Sequence, residues 1–244
     1  VNDDRLVAVL EECVDAVTAS LEGQRGRGLS GQRVSQYHLD LAADAVAVEI
    51  LVKNGLRVVS EESGVSGSGD YTVVLDPIDG STNCDRGIPF FACSLAVVRE
   101  LELVAGLVAN IPTSSRYLAL RGSGATRDGS AISARSTKKI EDAVVGFSGL
   151  PDRHLGWAQM RAMGAASLEC CLVADGSLDI FTVAQHSTLH PWDYLAGLLI
   201  ATESGAVAGD YREEELVIAQ STVRRPIIAC TQELLDAALF AGPL

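Results

Sequence analysis

The chain has 244 residues, 48% of them apolar and 21% charged, with a net charge of −13. That composition excludes intrinsic disorder, and the acidic balance excludes a general electrostatic attraction to nucleic acid or to an anionic membrane. No run approaches the roughly 18 apolar residues of a membrane span, and the opening Val1-Asn2-Asp3-Asp4 has no leader character, so a soluble, cytoplasmic protein is expected. The length suits one large domain or two packed closely together. An anionic substrate would need positive charge supplied locally, by metal ions, backbone amides or a few placed side chains. The six cysteines, Cys13, Cys84, Cys93, Cys170, Cys171 and Cys230, form no CxxC pair and read as reduced core thiols.

Apolar residues at Leu6, Val9, Leu10, Val14 and Val17 predict an amphipathic helix over Arg5 to Leu21. Gly23 to Gly31 reads as a Gly- and Arg-rich loop, and helical spacing returns from Leu39 to Val52 before Asn54-Gly55. Short β-rich runs follow at Leu56 to Ser60, Tyr71 to Leu75, Phe90 to Val98, Leu103 to Val108, Tyr117 to Leu120 and Val144 to Phe147. The second half alternates, with helices over Ser167 to Val173 and Trp192 to Ser204 and extended runs over Leu178 to Val183 and Ile227 to Cys230. A closing helix spans Thr231 to Phe240, with Thr231 as its cap. The pattern suggests stacked layers with a seam near residues 135 to 150, dividing an N-terminal α+β part, 1–145, from a C-terminal α/β part, 146–244.

The apolar strand Val73-Val74-Leu75 runs into Asp76-Pro77-Ile78-Asp79-Gly80-Ser81-Thr82-Asn83. Two carboxylates three residues apart, with Pro77 stiffening the chain and Gly80 freeing it to turn, can aim at one spot together with the Ile78 carbonyl. That is a hard-cation geometry suited to Mg²⁺. The N–H groups of Gly80, Ser81 and Thr82 can face a phosphate if a short helix begins there. An isolated D-P-x-D is equally an ordinary acidic turn; the full octet behind a hydrophobic strand favours the metal. Glu61-Glu62 close the strand Val58-Val59-Ser60, and Glu62 can join Asp76 around a cation. Asp193 opens a helix, where it also suits the helix dipole. Three separated acidic clusters find a common explanation in a site for two or three ions.

These residues, together with Ala196-Gly197 and Glu203-Ser204-Gly205-Ala206, resemble the inositol monophosphatase family. Arg121-Gly122-Ser123-Gly124-Ala125, Gly164 to Glu169 and Val173 to Asp179 agree with it, and Gly87-Ile88-Pro89-Phe90-Phe91 is similar to its archaeal branch, which hydrolyses both inositol monophosphate and fructose 1,6-bisphosphate. The resemblance implies an α/β, layered αβαβα fold of two intimately packed subdomains and a homodimer. It implies a Mg²⁺-dependent, lithium-inhibitable hydrolase of a small phosphorylated metabolite, with no nucleic acid or membrane partner. Carried over by position, Glu62, Asp76 and the Ile78 carbonyl would hold a first Mg²⁺. Asp76, Asp79 and Asp193 would hold a second, and Glu62 with waters a weaker third. Gly80, Ser81 and Thr82 would bind phosphate, and Gly164, Ala165 and His190 would face the alcohol. Water would attack in line, oriented by Glu62 and by the hydroxyl of Ser81 paired with Asp40; Asp44 is the competing alignment for that acid.

Substrate choice stays open in the sequence. The stretch Thr182 to His190, before Pro191-Trp192-Asp193, has neither the Glu nor the Arg that relatives use to read hydroxyls or a second phosphate. His186 and His190, four apart, suit a substrate contact, zinc or simple packing, although Pro191 disfavours a helix through them. Arg161 can pair with an anionic group or stay solvated. The alternatives are the same chemistry on histidinol phosphate, a nucleoside monophosphate, 3′-phosphoadenosine 5′-phosphate or fructose 1,6-bisphosphate, and a non-catalytic interaction protein. The acids, which a pure binding module does not need, argue against the last.

Overall fold

Two helices, α1 (Asp3–Leu21) and α2 (His38–Lys53), form the first layer of a computed structural model that describes residues 3–22, 28–32 and 36–242. Val1, Asn2 and residues 23–27 of the expected Gly- and Arg-rich loop lie outside the described residues. Leu6, Leu10, Val14 and Val17 of α1 and Leu39, Ala43, Ala47 and Leu51 of α2 are buried, the helix-period stripe that a one-sided contact requires.

That stripe packs on one face of an eight-stranded sheet. Its strands are β1 (Arg57–Ser60), β2 (Gly64–Ser66), β3 (Thr72–Asp79), β4 (Ala92–Arg99), β5 (Glu102–Asn110), β6 (Ser115–Leu120), β7 (Ala125–Arg127) and β8 (Ser130–Ala131), in the order β2-β1-β3-β4-β5-β6-β7-β8. Only β1 and β3 run parallel, and the other pairs are antiparallel. Helix α3 (Ser81–Arg86) joins β3 to β4. The second sheet comprises β9 (Val144–Ser148), β10 (Gln159–Arg161), β11 (Ile180–Val183), β12 (Val207–Asp210) and β13 (Pro226–Ala229), in the order β10-β9-β11-β13-β12.

Helices α4 (Ala166–Ala174) and α5 (Pro191–Glu203) fill the space between the sheets. Val59, Val74 and Val108 of the first sheet share a core with Leu168 and Leu195 of these helices and with Phe147, Phe181 and Ile228 of the second sheet. A Cβ on Gly197 of α5 would stand 2.4 Å from Cys170 Cβ and 2.9 Å from the Ser167 carbonyl, so only glycine lets α5 lie this close to α4. The closing helix α6 (Gln232–Ala241) covers the outer face of the second sheet: a Cβ at Gly209 would meet Leu239 at 3.5 Å. The layers are therefore αβαβα, as expected. Thr231 caps α6 by accepting the Leu234 N–H, and all six cysteines are free, five of them buried.

The predicted helices recur within one or two residues. β3 differs: it continues past Leu75 through Asp76-Pro77-Ile78 to Asp79. Asp76 pairs with Ser94 and Asp79 with Ala92, so two residues of β3 face one of β4. This bulge accommodates Pro77, which cannot donate a ladder hydrogen bond, inside a central strand. The short strands β2, β7, β8, β10 and β12 were not foreseen. Among the described residues no helix is long and apolar enough to cross a membrane.

Candidate active site

The side-chain alternation of β1 and β3 decides which acids meet. Val58 and Leu75 face the α1–α2 layer, whereas Val59 and Val74 face α4 and α5. Ser60 returns to the α2 side, where its hydroxyl bonds Asp44. The next residue in each alternation, Glu61 and Asp76, therefore turns toward α5. Carboxylate oxygens of Glu61, Asp76 and Asp193 lie within 4.8 Å of one another. Glu62, expected in this cluster, has the opposite parity and accepts a hydrogen bond from Gln36 Nε2 instead. The acid that the fold brings to Asp76 is thus Glu61, and the two-residue period of β1 was the signal that identifies it.

Asp76 is buried and accepts the Ile78 N–H at 3.0 Å. Asp193 is held by the His190 N–H at 2.6 Å, in the first turn of α5. Asp79 sits beside them and caps α4, accepting from Ala166 N (3.2 Å), Ser167 N (2.7 Å) and Ser167 Oγ (2.5 Å). Burial, then mutual repulsion, pushes these carboxyls toward the protonated form: Glu61 rises to about 7, and Asp76 and Asp193 rise well above the carboxylate range. Asp79 rises to about 6 through burial, against the pull of Ser167 and the α4 amides. A cluster of oxygen donors that repel one another out of water fits a hard divalent cation, which removes both penalties at once.

Gly80 turns the chain out of β3 with φ 89°. A Cβ there would stand 2.9 Å from the Gly164 carbonyl, so the turn needs glycine both for its conformation and for this contact. Asn83 Nδ2 donates to the carbonyls of Phe90 (2.7 Å) and Met163 (2.8 Å), clasping the Gly80 turn to the Gly164 loop. Ser81 Oγ donates to the Ile78 carbonyl at 2.8 Å, and the Thr82 hydroxyl meets Tyr37 Oη at 3.1 Å. Asp40, buried in α2, rises to about 6, chiefly by burial; the Tyr37 N–H and the neighbouring Ser81 hydroxyl hold it down. Among the described residues its Oδ1 has no hydrogen-bond partner. Of the two competing acids, Asp40 adjoins Ser81, and Asp44 is committed to Ser60.

A cavity of about 450 Å³ opens beside Asp79 and Asp193, walled by Gly164, Ala165 and Glu169 among others. Glu169, not anticipated, accepts the Met163 and Gly164 N–H groups at 3.4 and 3.3 Å, and burial raises its carboxyl to about 8. The ring of His190 does not line this cavity; it stacks on Trp192 with centroids 4.5 Å apart. His186 pairs with Asp152 at 3.4 Å.

The same chemistry is what comparison with known proteins returns: residues 32–241 match the model of the inositol monophosphatase family. The chain belongs to that family. It is 36% identical to a fructose-1,6-bisphosphatase/inositol-1-monophosphatase of Thermococcus kodakarensis, over 88% of this chain and 85% of that one. It is 37% identical to a protein of the same description from Archaeoglobus fulgidus, over 72% of this chain and 71% of that one. A solved structure from Pyrococcus horikoshii, described as having similarities to inositol-1 monophosphatase, superposes with a TM-score of 0.88 at 25% identity, covering 98% of each chain.

Proposed function

We infer that this inositol monophosphatase family member is a hydrolase of phosphate monoesters, a Mg²⁺-dependent phosphatase acting on a small sugar or polyol phosphate. The observation that carries this reading is the convergence of Glu61, Asp76 and Asp193 within 4.8 Å, next to Asp79 and to a cavity of substrate size. Glu61, Asp76, Asp79, Asp193 and the Ile78 carbonyl would hold two to three Mg²⁺ ions. When bound, Mg²⁺ supplies a water of lowered pKa and neutralises charge on the phosphate and the leaving alkoxide.

The remaining roles belong to the chain itself. The turn at Gly80, Ser81 and Thr82 binds the phosphoryl oxygens through its N–H groups and hydroxyls. Ser81 orients the attacking water, and Asp40, ionised above about pH 6, takes the proton that Ser81 relays. Gly164 and Ala165 position the alcohol, and His190 serves through its backbone N–H, which holds Asp193. Water attacks in line and no phosphoenzyme forms. The reading divides the chain at 145/146, so that the N-terminal part carries the phosphate turn and the C-terminal part carries Asp193 and the alcohol loop. It includes a cytoplasmic homodimer without a nucleic acid or membrane partner. The test is phosphate release from a panel of sugar, inositol, histidinol and nucleoside phosphates, with Mg²⁺, with chelator and in Asp79→Asn. Turnover abolished by chelator and by the variant is expected; robust metal-free turnover would sink the mechanism.

A further inference from the structure

Gly28 to Ser30, at the end of the Gly- and Arg-rich stretch, pair with Gln36 to His38 beside α3 and the Gly80–Thr82 turn. Leu29 and Tyr37 form an antiparallel bridge, framed by the Ser30 N–H on the Gln36 carbonyl (2.8 Å) and the His38 N–H on the Gly28 carbonyl (3.2 Å). Three contacts tie this pair of segments down. The Gly28 N–H donates to Asp85 Oδ1 of α3 at 2.7 Å, Gln36 Nε2 donates to Glu62, and the Tyr37 N–H donates to Asp40 Oδ2 at 2.8 Å. They hold a half-buried Tyr37 whose Oη stands 3.1 Å from the hydroxyl of exposed Thr82. Each of these hydroxyls has one proton to donate. Ser81 spends its own on the Ile78 carbonyl at 2.8 Å. The Thr82 proton is free for a phosphoryl oxygen when Tyr37 is the donor of the Tyr37–Thr82 pair, and is lost to it when Thr82 is the donor. A phenol is the stronger donor of the two, and a dianionic phosphate accepts hydrogen bonds without giving any. Bound phosphate therefore selects the chain from Tyr37 O–H to Thr82 Oγ1 and from Thr82 O–H to the phosphoryl oxygen, in which each bond strengthens the next.

We infer, on the phosphatase reading above, that Tyr37 is a positioning residue of the phosphate turn: its phenol donates to the Thr82 hydroxyl and aims the Thr82 proton at a phosphoryl oxygen. Tyr37 thereby serves the site at two points. Its backbone N–H holds Asp40, and its side chain acts through Thr82. Because Thr82 is exposed, the hydroxyl pair contributes little to folding, and its value is realised when an anion accepts from Thr82.

The experiment is a double-mutant cycle on the full chain with saturating Mg²⁺: the parent, Tyr37→Phe, Thr82→Val and the double variant. Inorganic phosphate is the probe, as a ligand in isothermal titration and as a product inhibitor of ester hydrolysis. Each single variant should bind phosphate about 3- to 10-fold more weakly. The double variant should bind no more weakly than Thr82→Val, because without the Thr82 hydroxyl the phenol has nothing to orient. Mg²⁺ affinity in Tyr37→Phe should match the parent, since the phenol is not among the acids that would hold the ions. Phosphate bound by Tyr37→Phe as tightly as by the parent would overturn the inference. So would losses that add in the double variant, or a parallel fall in Mg²⁺ affinity, since either would mean that Tyr37 does not act through Thr82. A Tyr37→Phe protein that melts well below the parent would place the phenol's contribution in folding and overturn it too. In each of these cases, ester hydrolysis by the parent leaves the phosphatase reading standing. A folded, Mg²⁺-loaded parent that neither binds phosphate nor releases it from any ester would remove the phosphatase reading and the inference with it.

Discussion

The assignment of Glu61 over Glu62 makes two adjacent, chemically identical residues behave differently. In Glu61→Gln one carboxylate leaves the group that faces α5. Two unit charges about 4 Å apart interact by about 4 kcal/mol at an effective dielectric of about 20, and a carboxylate with a divalent ion by about twice that. Partial relief of repulsion with Asp76 and Asp193 offsets some of that, so Mg²⁺ affinity should fall by about 10²- to 10³-fold. Glu62→Gln keeps an oxygen for Gln36 and should change affinity by less than about threefold.

The metal-free protein should respond in the opposite sense. Its Glu61 carboxyl is raised to about 7 from 4.5, so the folded chain holds that proton more tightly than the unfolded chain. The resulting stabilisation is full below pH 4.5 and is lost as pH rises through about 7. At pH 8 the neutral glutamine avoids that loss, a gain of about 1–3 kcal/mol, which is about 3–8 °C in Tm for a chain of this size. Isothermal titration with Mg²⁺ and thermal unfolding in chelator read both signs on the same samples. A larger loss of affinity in Glu62→Gln, with Glu61→Gln near the parent, would refute the alternation argument.

Further expectations concern the neighbouring groups. Asp40→Asn should lower kcat by about 10²- to 10³-fold and abolish the rise in kcat through about pH 6 that the raised Asp40 carboxyl predicts for the parent. Asp44→Asn should instead cost about 1–3 kcal/mol of stability through its bond to Ser60, with kcat near the parent; denaturant unfolding and a pH–rate profile separate the two. Gly80→Ala should cost several-fold or more in kcat/KM and about 1–2 kcal/mol of stability, because φ 89° and the Gly164 carbonyl at 2.9 Å both oppose a Cβ; a variant indistinguishable from the parent would contradict the close contact. Asn83→Ala should unclasp the Gly164 loop and raise KM more than it lowers kcat, read from initial rates across substrate concentration.

The octet from Asp76 to Asn83 was legible because its chemistry is local: acids, Pro77 and Gly80 lie within one turn of chain. Stacked layers were legible from apolar stripes such as Leu6 to Val17 and from the order of strands and helices; their αβαβα order came from the family resemblance. The choice between Glu61 and Glu62 was harder, since both acids follow the same strand and only the facing of Val59 and Ser60 separates them. The continuation of β3 to Asp79 was hidden by Pro77, which a strand tolerates only with the bulge opposite Cys93. Gln159–Arg161 and Gly64–Ser66 are three-residue edge strands, too short to show a period. Glu169 was invisible as a site residue because its partners, the N–H groups of Met163 and Gly164, become neighbours only when α4 turns back on its own preceding loop.

Asp79 explains why the site needs both sheets. Its carboxylate closes the N-terminus of α4, so the helix that follows the Gly164 loop is anchored to the strand that precedes the Gly80 turn. Asn83 and the Gly80–Gly164 contact repeat that connection a few residues on. On the proposed reading, a cation drawing on Asp79 would compete for the same lone pairs that fix α4, so that metal loading and alcohol positioning would share one carboxylate. Had Asp79 been an isolated ligand on a free loop, the phosphate turn could bind its ion without consequence for the alcohol pocket. With Ser167 and two amides already on it, an ion on Asp79 would have to be accommodated together with the Gly164 loop, which would tie the proposed chemistry to the packing of β3 against α4.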